Sequence, residues 1–252
     1  MGTSKQPEKI LGVLGGMGPA ATAEFLRLLT VRAPVSSDQE HPTIYMISDP
    51  AVPDRSSAII GKGEDPTERL QMDLETLSNW GADILAVPCN TAHFFIDGFR
   101  DHLCVPLIHI IEETVDAADA LNPEGAWLLA TRGTMESGLY QKYAAKKEYS
   151  FFVPPLEVQE QVQRSIELVK ENRLAEAGEL LRPLVENLWR EREIPICAAC
   201  TELPLAYDAS GLPGEKTVSS LQALCDACLR ELYPRRKDVQ KTPEAVFLNT
   251  PV

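Results

Sequence analysis

The chain has few basic side chains for its size and no long apolar run. Its 252 residues include 24 Lys and Arg against 37 Asp and Glu, a formal net charge of −13. Nucleic-acid binding needs clustered basic residues to neutralise phosphates, so this balance argues against a nucleic-acid partner. No apolar stretch reaches the roughly 18 residues of a membrane span, and the start of the chain lacks a secretory apolar segment. We therefore expect a cytoplasmic protein with no membrane partner.

The shortage of basic residues also constrains any acidic ligand. An acidic protein repels anions at long range, so local basic residues have to meet a ligand carboxylate. The rest of the composition, with 44% hydrophobic and 24% charged residues, is that of an ordinary globular protein of one large domain or two smaller ones. The six cysteines are expected to be thiols in a reducing compartment.

Two short segments place a cysteine directly after an apolar run. Cys89 follows residues 83–87 in the sequence PCNTAH, and Cys200 follows residues 194–198 in the sequence ACTE. A strand that ends in this way exposes its thiol at the carboxyl edge of a sheet, where open α/β folds bind ligands. Two such thiols from two similar units could face one another across a cleft.

Apolar periodicity places these segments in an alternating pattern of strands and helices. It predicts strands at residues 10–14, 43–48, 83–87, 105–110 and 126–130, besides the apolar run 194–198. It predicts helices at residues 20–33, 66–80, 91–102, 111–121, 156–171, 174–192 and 218–232, and a turn-rich loop over 49–58. Strands that alternate with helices imply parallel sheets covered on both faces.

The second part of the chain repeats the first. The distances from Leu14 to Cys89 and from Leu129 to Cys200 are both about 70 residues. This period predicts two related α/β lobes: residues 1–117 with the first cysteine and residues 118–212 with the second. We expect the helix at about 213–233 to return to the first lobe, and residues 234–252 to form a polar tail.

The remaining cysteines resemble a zinc site only superficially. Cys197 and Cys200 form one C-x-x-C pair and Cys225 and Cys228 another, but 24 residues separate them, more than the usual roughly 15–20. Cys225 and Cys228 also belong to an apolar stripe with helical spacing, where thiols act as small hydrophobic groups. We expect no metal site, and a structural role for Cys104.

A glycine-rich loop follows the first strand. Gly16, Gly18 and Ala21 fit the dinucleotide fingerprint G-x-G-x-x-A, and Asp49 ends the next strand. Asp49 falls later than the usual roughly 20 residues, and this interpretation leaves the paired cysteines unused. A NAD-binding oxidoreductase is nevertheless an alternative of another class. The same loop also allows backbone amides to approach a carboxylate at a helix start.

Taken singly, each candidate residue has an ordinary structural explanation. Either cysteine alone would be a core thiol at a strand end, but their matched positions favour chemistry. The starts of helices stabilise anions, so both thiols are expected to have a pKa well below about 8.5. Arg55 and Lys170 could bind a ligand carboxylate, since Arg offers a bidentate fork. His93 and Glu202 are secondary candidates, at helix starts or behind the reacting groups.

Five motifs together resemble those of one family. They are LGGMGP at residues 14–19, PDR at 53–55, PCNTAH at 88–93, AT-x-GT at 130–134 and CTE at 200–202. In this order and spacing the chain resembles aspartate racemases of the cofactor-independent aspartate/glutamate racemase superfamily, from about Lys9 to Leu232. The resemblance implies an α/β fold of two pseudo-symmetric lobes, each a parallel sheet flanked by helices, with the active site in the cleft between them. It also implies a homodimer and no cofactor.

The resemblance assigns roles to individual residues. The paired catalytic thiols fall on Cys89 and Cys200. Substrate contacts fall on Gly16, Met17, Gly18, Arg55, Asn90, Thr91, Thr134, Lys170 and Thr201. Ala199 is a departure, since the family usually has Gly before the second cysteine.

The motifs also separate aspartate from glutamate racemases. In glutamate racemases the first strand is typically followed by Asp-Ser, and the second cysteine lies in the motif Cys-Thr-His. At the same places this chain has Gly16-Met17 and Cys200-Thr201-Glu202, which resemble the motifs of aspartate racemases. The expected function is therefore racemisation of aspartate, with the two cysteines acting as base and acid without pyridoxal phosphate. A racemase of glutamate or of broader specificity is the alternative within the superfamily. A non-catalytic amino-acid-binding protein is a further alternative.

Overall fold

The computed structural model describes residues 6–234, which form two parallel sheets of four strands each. The first sheet contains β1 (Leu11–Gly15), β2 (Ile44–Ser48), β3 (Ile84–Ala86) and β4 (Leu107–Ile108). The second contains β5 (Ala126–Leu129), β6 (Phe151–Phe152), β7 (Ile196–Ala198) and β8 (Thr217–Ser219). The strand orders are β2-β1-β3-β4 and β6-β5-β7-β8, so the two lobes repeat one topology. The predicted α/β fold of two pseudo-symmetric lobes is confirmed.

Eleven α-helices connect the strands within the described residues. They are α1 (Pro19–Arg32), α2 (Arg55–Ile59), α3 (Thr67–Asn79), α4 (His93–Ile96), α5 (Ile110–Leu121), α6 (Arg132–Ser137), α7 (Leu139–Ala145), α8 (Leu156–Lys170), α9 (Leu174–Glu191), α10 (Leu203–Ser210) and α11 (Ser220–Leu232). Short 3₁₀ turns occur at Asp38–Glu40, Arg100–His102 and Gly214–Lys216. No helix in this part of the chain is both long enough and apolar enough to cross a membrane.

A single apolar cluster joins the two sheets. It contains Leu11 and Val13 from β1, Ala126 and Leu128 from β5, and the inner faces of α1, α5, α7 and α11. A second cluster packs α8, α9 and α10 on the outer face of the second sheet, and a third packs α3 and α4 on the outer face of the first. Because both inner sheet faces share one core, burial of apolar surface holds the lobes in a fixed relation.

The last helix connects the two lobes directly. β8 pairs with β7 in the second sheet, with Ala198 opposite Ser219. The helix that follows, α11, then packs against α1 and α5. Residues 213–233 therefore do not all return to the first lobe. Strand β8 belongs to the second sheet, and only helix α11 packs against the first lobe. The predicted polar tail, residues 234–252, lies outside the described residues except for Pro234.

Three local predictions are wrong. The helix expected over residues 91–102 ends at Ile96, because the chain turns at Gly98 and Phe99 has an extended φ of −133°. The loop expected over residues 49–58 contains the start of α2, which Asp54 caps by accepting a hydrogen bond from the amide of Ser57 at 2.7 Å. The strand expected over residues 105–110 is only two residues long, since Pro106 has no amide hydrogen to donate.

A close contact between α2 and α6 joins the lobes beside the strand ends. A Cβ atom placed on Gly133 in α6 would lie 2.6 Å from both Cα and Oγ of Ser56 in α2. Such a separation is shorter than real Cβ contacts, so only glycine allows the two helices to approach this closely.

We predict that Gly133→Ala destabilises the protein by about 1–3 kcal/mol through overpacking, although alanine usually favours a helix. The midpoint of urea unfolding measures this change. Gly214→Ala is the control, because a Cβ there has no atom within 4 Å and should change stability by less than about 0.5 kcal/mol. A Gly133→Ala variant as stable as the wild type would mean that α2 and α6 do not touch.

Candidate active site

A small pocket lies between the carboxyl edges of the two sheets. Its lining combines residues of the first lobe (Met17, Asp54, Arg55, Ser56, Cys89, Asn90, Thr91) with residues of the second (Thr131, Lys170, Cys200, Thr201, Glu202). Both cysteines of the paired motifs therefore line one cavity. They reach it because Cys89 follows β3 and Cys200 follows β7, which hold equivalent central positions in their sheets.

The backbone at Cys89 is held by a buried histidine. The Nδ1 atom of His93 lies 2.9 Å from the carbonyl oxygen of Cys89, and its Nε2 accepts from the amide of Ile110 at 3.5 Å. Complete burial, together with nearby His109, lowers the pKa of His93 well below its usual value. His93 is thus neutral with its proton on Nδ1, and it supports the strand end from behind without lining the pocket.

Three threonine hydroxyls meet where the lobes join. The Oγ1 of Thr91 lies 3.0 Å from that of Thr131 and 2.9 Å from that of Thr134, and Thr131 and Thr134 are themselves 3.0 Å apart. The Thr131 hydroxyl also accepts from the Thr134 amide at 3.1 Å and so caps α6. This triangle links the segment after β3 to the segment after β5 and leaves Thr91 and Thr131 at the pocket surface.

Glu202 is the central acceptor on the opposite side. Its Oε2 accepts from the Cys200 thiol at 3.0 Å and from the Thr201 hydroxyl at 3.3 Å, and its Oε1 accepts from the Gly18 amide of the other lobe at 3.3 Å. Glu202 is buried, and these three hydrogen bonds hold its carboxyl group beside the sulfur.

The predicted low pKa is wrong for Cys200. Burial and the neighbouring Glu202 carboxylate both disfavour the thiolate and raise the pKa of Cys200 well above its usual value, although Lys170 acts in the opposite direction. The helix that was expected to stabilise a thiolate, α10, begins at Leu203 with Glu202 in the N-cap position, so a carboxyl group stands between the sulfur and the helix start. Cys200 is therefore a thiol at neutral pH.

Two cations face this pocket. The Nη1 of Arg55 donates to the carbonyl oxygens of Val52 and Pro53, both at 3.1 Å, which fixes the guanidinium plane. Its Nε is buried and meets no acceptor among residues 6–234. A buried donor without a partner is costly, so a ligand acceptor at this place would satisfy it.

Lys170 ends α8 at the mouth of the pocket with its side chain partly in solvent. Burial alone would lower the pKa of Lys170, but the nearby Glu202 carboxyl group, with smaller contributions from the groups of Cys200 and Cys89, outweighs it and raises the pKa. Within the described residues no carboxylate oxygen lies within 4 Å of its ammonium. Its charge is therefore available to an anionic ligand.

The structure brings most of the predicted site residues together. Met17, Arg55, Asn90, Thr91, Lys170, Thr201 and Glu202 line the pocket with the two cysteines. Gly16, Gly18, His93 and Thr134 do not line it. The Gly16 amide donates to Thr22 Oγ1 at 2.9 Å, and a Cβ on Gly16 would lie 2.5 Å from the backbone of Asp49, so this glycine serves close packing.

Three lining residues were absent from the predicted site: Asp54, Ser56 and Thr131. Asp54 and Thr131 belong to the motifs around Arg55 and Thr134, and an N-cap signal was available for both. Ser56 had no comparable signal, because its position depends on the short helix α2 and its contact with Gly133.

Comparisons with known proteins agree with this arrangement. The family model for Asp/Glu/hydantoin racemases matches residues 14–228. The chain belongs to the Asp/Glu/hydantoin racemase family. This places it among racemases, a class of isomerase.

Individual relatives span nearly the whole chain. The aspartate racemase of Picrophilus torridus is 29% identical, with a TM-score of 0.78 over 88% of this chain and 93% of that chain. The broad specificity amino-acid racemase RacX of Bacillus subtilis (strain 168) is 29% identical over 208 residues, which are 79% of this chain and 88% of the relative. The glutamate racemase of Thermus thermophilus, 22% identical with a TM-score of 0.64 over 90% of this chain and 82% of that chain, shares the fold.

The residues on which the zinc and dinucleotide alternatives were based have other roles in the structure. Cys197 is buried in β7, and Cys225 and Cys228 face the core from α11. Across residues 6–234 no three His, Cys, Asp or Glu side chains converge as metal ligands would. Asp49, the candidate ribose acceptor of the dinucleotide reading, accepts instead from Arg69 Nε at 2.5 Å.

We predict that Glu202→Gln lowers the pKa of Cys200, because it removes the negative charge that disfavours the thiolate. The pH at which iodoacetamide alkylates Cys200 at half its maximal rate, followed by mass spectrometry of that peptide, should move to lower pH. Glu193→Gln removes an exposed carboxylate paired with Lys216 and should leave this midpoint unchanged. An unchanged midpoint in Glu202→Gln would contradict the assigned interaction.

Proposed function

We propose that the chain is an aspartate racemase that interconverts L- and D-aspartate without pyridoxal phosphate, with Cys89 and Cys200 as the two proton-transferring groups. The observation that carries the proposal is that two thiols, each from the end of an equivalent strand in a separate sheet, line one pocket. An acid and a base on opposite walls are what inversion at a single carbon requires.

The α-proton of an amino acid is weakly acidic, so the pocket has to stabilise the negative charge that develops when it leaves. Hydrogen-bond donors aimed at the α-carboxylate provide such stabilisation in a site that excludes water. Asn90, Thr91 and Thr201 line the pocket; the Thr201 hydroxyl donates to Glu202, so the Asn90 amide and the Thr91 hydroxyl are the side-chain donors open to a ligand. All three are buried, which strengthens their electrostatic effect on a bound ligand.

The proposed proton transfers need one sulfur as thiolate and the other as thiol. In one direction the Cys89 thiolate takes the α-proton as the C–H bond breaks, and the Cys200 thiol gives its proton to the opposite face of the carbon. The product has inverted configuration, and the enzyme is left with Cys89 protonated and Cys200 as thiolate. The reverse direction exchanges these roles. The raised pKa of Cys200 supports the form in which Cys200 holds the proton.

The two cations support a substrate with a second carboxylate. Among residues 6–234, the buried Nε of Arg55 meets no acceptor and the Lys170 ammonium at the mouth has no carboxylate oxygen within 4 Å. An arginine held in one plane binds a carboxylate through two parallel hydrogen bonds. The likeness to the Picrophilus torridus aspartate racemase supports the same substrate, whereas the likeness to RacX keeps a racemase of broader specificity as the alternative.

The assembly expected from the family resemblance is a homodimer. The molar mass of the purified protein in solution, measured by light scattering, tests that expectation independently of activity.

We predict that the purified protein incorporates deuterium at the α-carbon of L-aspartate in deuterated water, with loss of optical rotation and without added cofactor. Glutamate measured in parallel tests the substrate. Cys89→Ala or Cys200→Ala should abolish racemisation, because each direction needs both groups. Cys104→Ala, which alters an exposed thiol, should keep full activity. Aspartate binding without α-hydrogen exchange would identify a non-catalytic binding protein, and full racemisation by either active-site variant would contradict the mechanism.

We further predict that Arg55→Leu raises the KM for aspartate or lowers kcat by roughly tenfold or more, because a charge-assisted contact to the side-chain carboxylate is lost. Steady-state kinetics in both directions measure the effect. Arg190→Leu is the matched control, since Arg190 is exposed and bonds only to Asn187 among the described residues. Equal kinetics for the two variants would remove Arg55 from the substrate site.

A further inference from the structure

Behind the pocket, Asn90 is hydrogen-bonded to two buried residues that take no part in the mechanism above. Asn90 lines the pocket between the two cysteines' lobes, yet both polar atoms of its side chain already have partners. Its Oδ1 accepts from the Tyr140 hydroxyl at 2.7 Å, and its Nδ2 donates to the Ser220 hydroxyl at 2.9 Å. Tyr140 lies 50 positions after Asn90 in the sequence, and Ser220 lies 130 positions after it. Asn90 follows β3, Tyr140 belongs to α7, and Ser220 begins α11.

All three members are shielded from solvent. Asn90 is 2% exposed, and Tyr140 and Ser220 are completely buried. Burial raises the pKa of Tyr140 well above its usual value, so the residue stays a neutral phenol that can donate. The Tyr140 ring itself is held edge-on against Phe151 at a centroid distance of 5.4 Å. Hydrogen bonds in such a dry site are geometrically demanding, since no water replaces a lost partner.

The number of hydrogen bonds that the Asn90 amide can still form determines how it can contact a ligand. The NH₂ group has two hydrogens and the oxygen has two lone pairs. One hydrogen goes to Ser220 and one lone pair to Tyr140, so one N–H remains for an acceptor in the pocket. With both ends bonded, the amide cannot rotate about its last torsion without breaking two buried hydrogen bonds.

We propose that Tyr140 and Ser220 are positioning residues that hold the Asn90 amide in the plane from which it donates to the substrate's α-carboxylate. The proposal rests on the proposed function for the identity of the acceptor. The arrangement in which Tyr140 and Ser220 hold Asn90, here called the clamp, is inferred from the two hydrogen bonds alone. Freed from either hydroxyl, the amide can turn its oxygen toward the pocket, where it would repel a carboxylate.

The variant Tyr140→Phe tests this with the loss of a single oxygen atom. We expect kcat/KM for L-aspartate to fall roughly three- to tenfold, the effect of one lost neutral hydrogen bond. Ser220→Ala should act in the same way. Tyr207→Phe is the matched control, because Tyr207 is equally buried but donates to the Pro213 carbonyl at 2.9 Å and not to a side chain of the pocket lining. It should change kcat/KM by less than about twofold.

Two further readouts separate positioning from a general loss of structure. In the Asn90→Ala background, Tyr140→Phe should have almost no additional effect on α-deuterium exchange, because a residue that acts through Asn90 cannot act without it. In ¹⁵N NMR, hydrogen exchange of the Asn90 side-chain NH₂ should become roughly tenfold faster in Tyr140→Phe and stay unchanged in Tyr207→Phe.

These readouts also distinguish the two proposals from one another. If wild-type protein does not exchange the α-hydrogen of aspartate, the proposed function fails, and the NMR measurement still decides whether the clamp exists. An Asn90 NH₂ exchange rate within twofold of wild type in Tyr140→Phe would overturn the clamp. Full additivity of Tyr140→Phe and Asn90→Ala would overturn the positioning role even if the amide is ordered.

Discussion

Everything at the site depends on the shared apolar core that holds two copies of one sheet topology against each other. β1 and β5 contribute to the same buried cluster, and α11 packs on α1 and α5 after its preceding strand has joined the second sheet. This packing directs the carboxyl ends of β3 and β7 into one pocket. Thiols on loops without such support would not keep a fixed separation, since reacting groups have to be held within fractions of an ångström.

Polar contacts between the lobes add to the apolar core in fixing how the two lobes pack. The lobes also meet through the Gly18 amide on Glu202, through the hydroxyls of Thr91, Thr131 and Thr134, and through the approach of Ser56 to Gly133. Each contact lies within or directly behind the pocket lining. The pocket therefore forms at the place where interlobe geometry is most closely determined, and the buried polar groups there have partners. Arg55 Nε is an exception within the described residues, and it is the group that a ligand carboxylate would satisfy.

The sequence predicted the parts of the structure that depend on local pattern. Buried apolar runs marked β1, β3 and β5, and repetition of these runs at a long period predicted two lobes. The motifs predicted site positions for both cysteines and Arg55, and the family resemblance added Lys170; all four line the pocket. β6 and β8, of two and three residues, were not predicted, whereas β3 is equally short but lies within the run 83–87 that marked it. The short helix α4 ends at a turn that tertiary contacts of Asp97 support, since its carboxylate bonds to His109, Lys142 and Tyr143.

Properties that depend on distant neighbours were not predictable. The pKa of Cys200 is raised by burial and by the side-chain direction of Glu202, whereas sequence position indicated only a helix start. The partners of Asn90 come from two other segments, so no spacing rule connects them. Such contacts arise after the lobes have packed, and they set the electrostatics of the site.

The central claim is that two sulfurs act from opposite faces of one carbon, and the isotopic content of each enantiomer at early conversion tests it most directly. L-Aspartate is incubated with the protein in deuterated water and stopped within the first few per cent of conversion, and the two enantiomers are separated. The account predicts D-aspartate that carries deuterium at the α-carbon beside L-aspartate that still carries protium, because one group removes the proton and another, equilibrated with solvent, delivers its replacement. D-Aspartate that retains the substrate's own proton, or deuterium appearing equally in both enantiomers from the first turnovers, would show a single base and contradict the account.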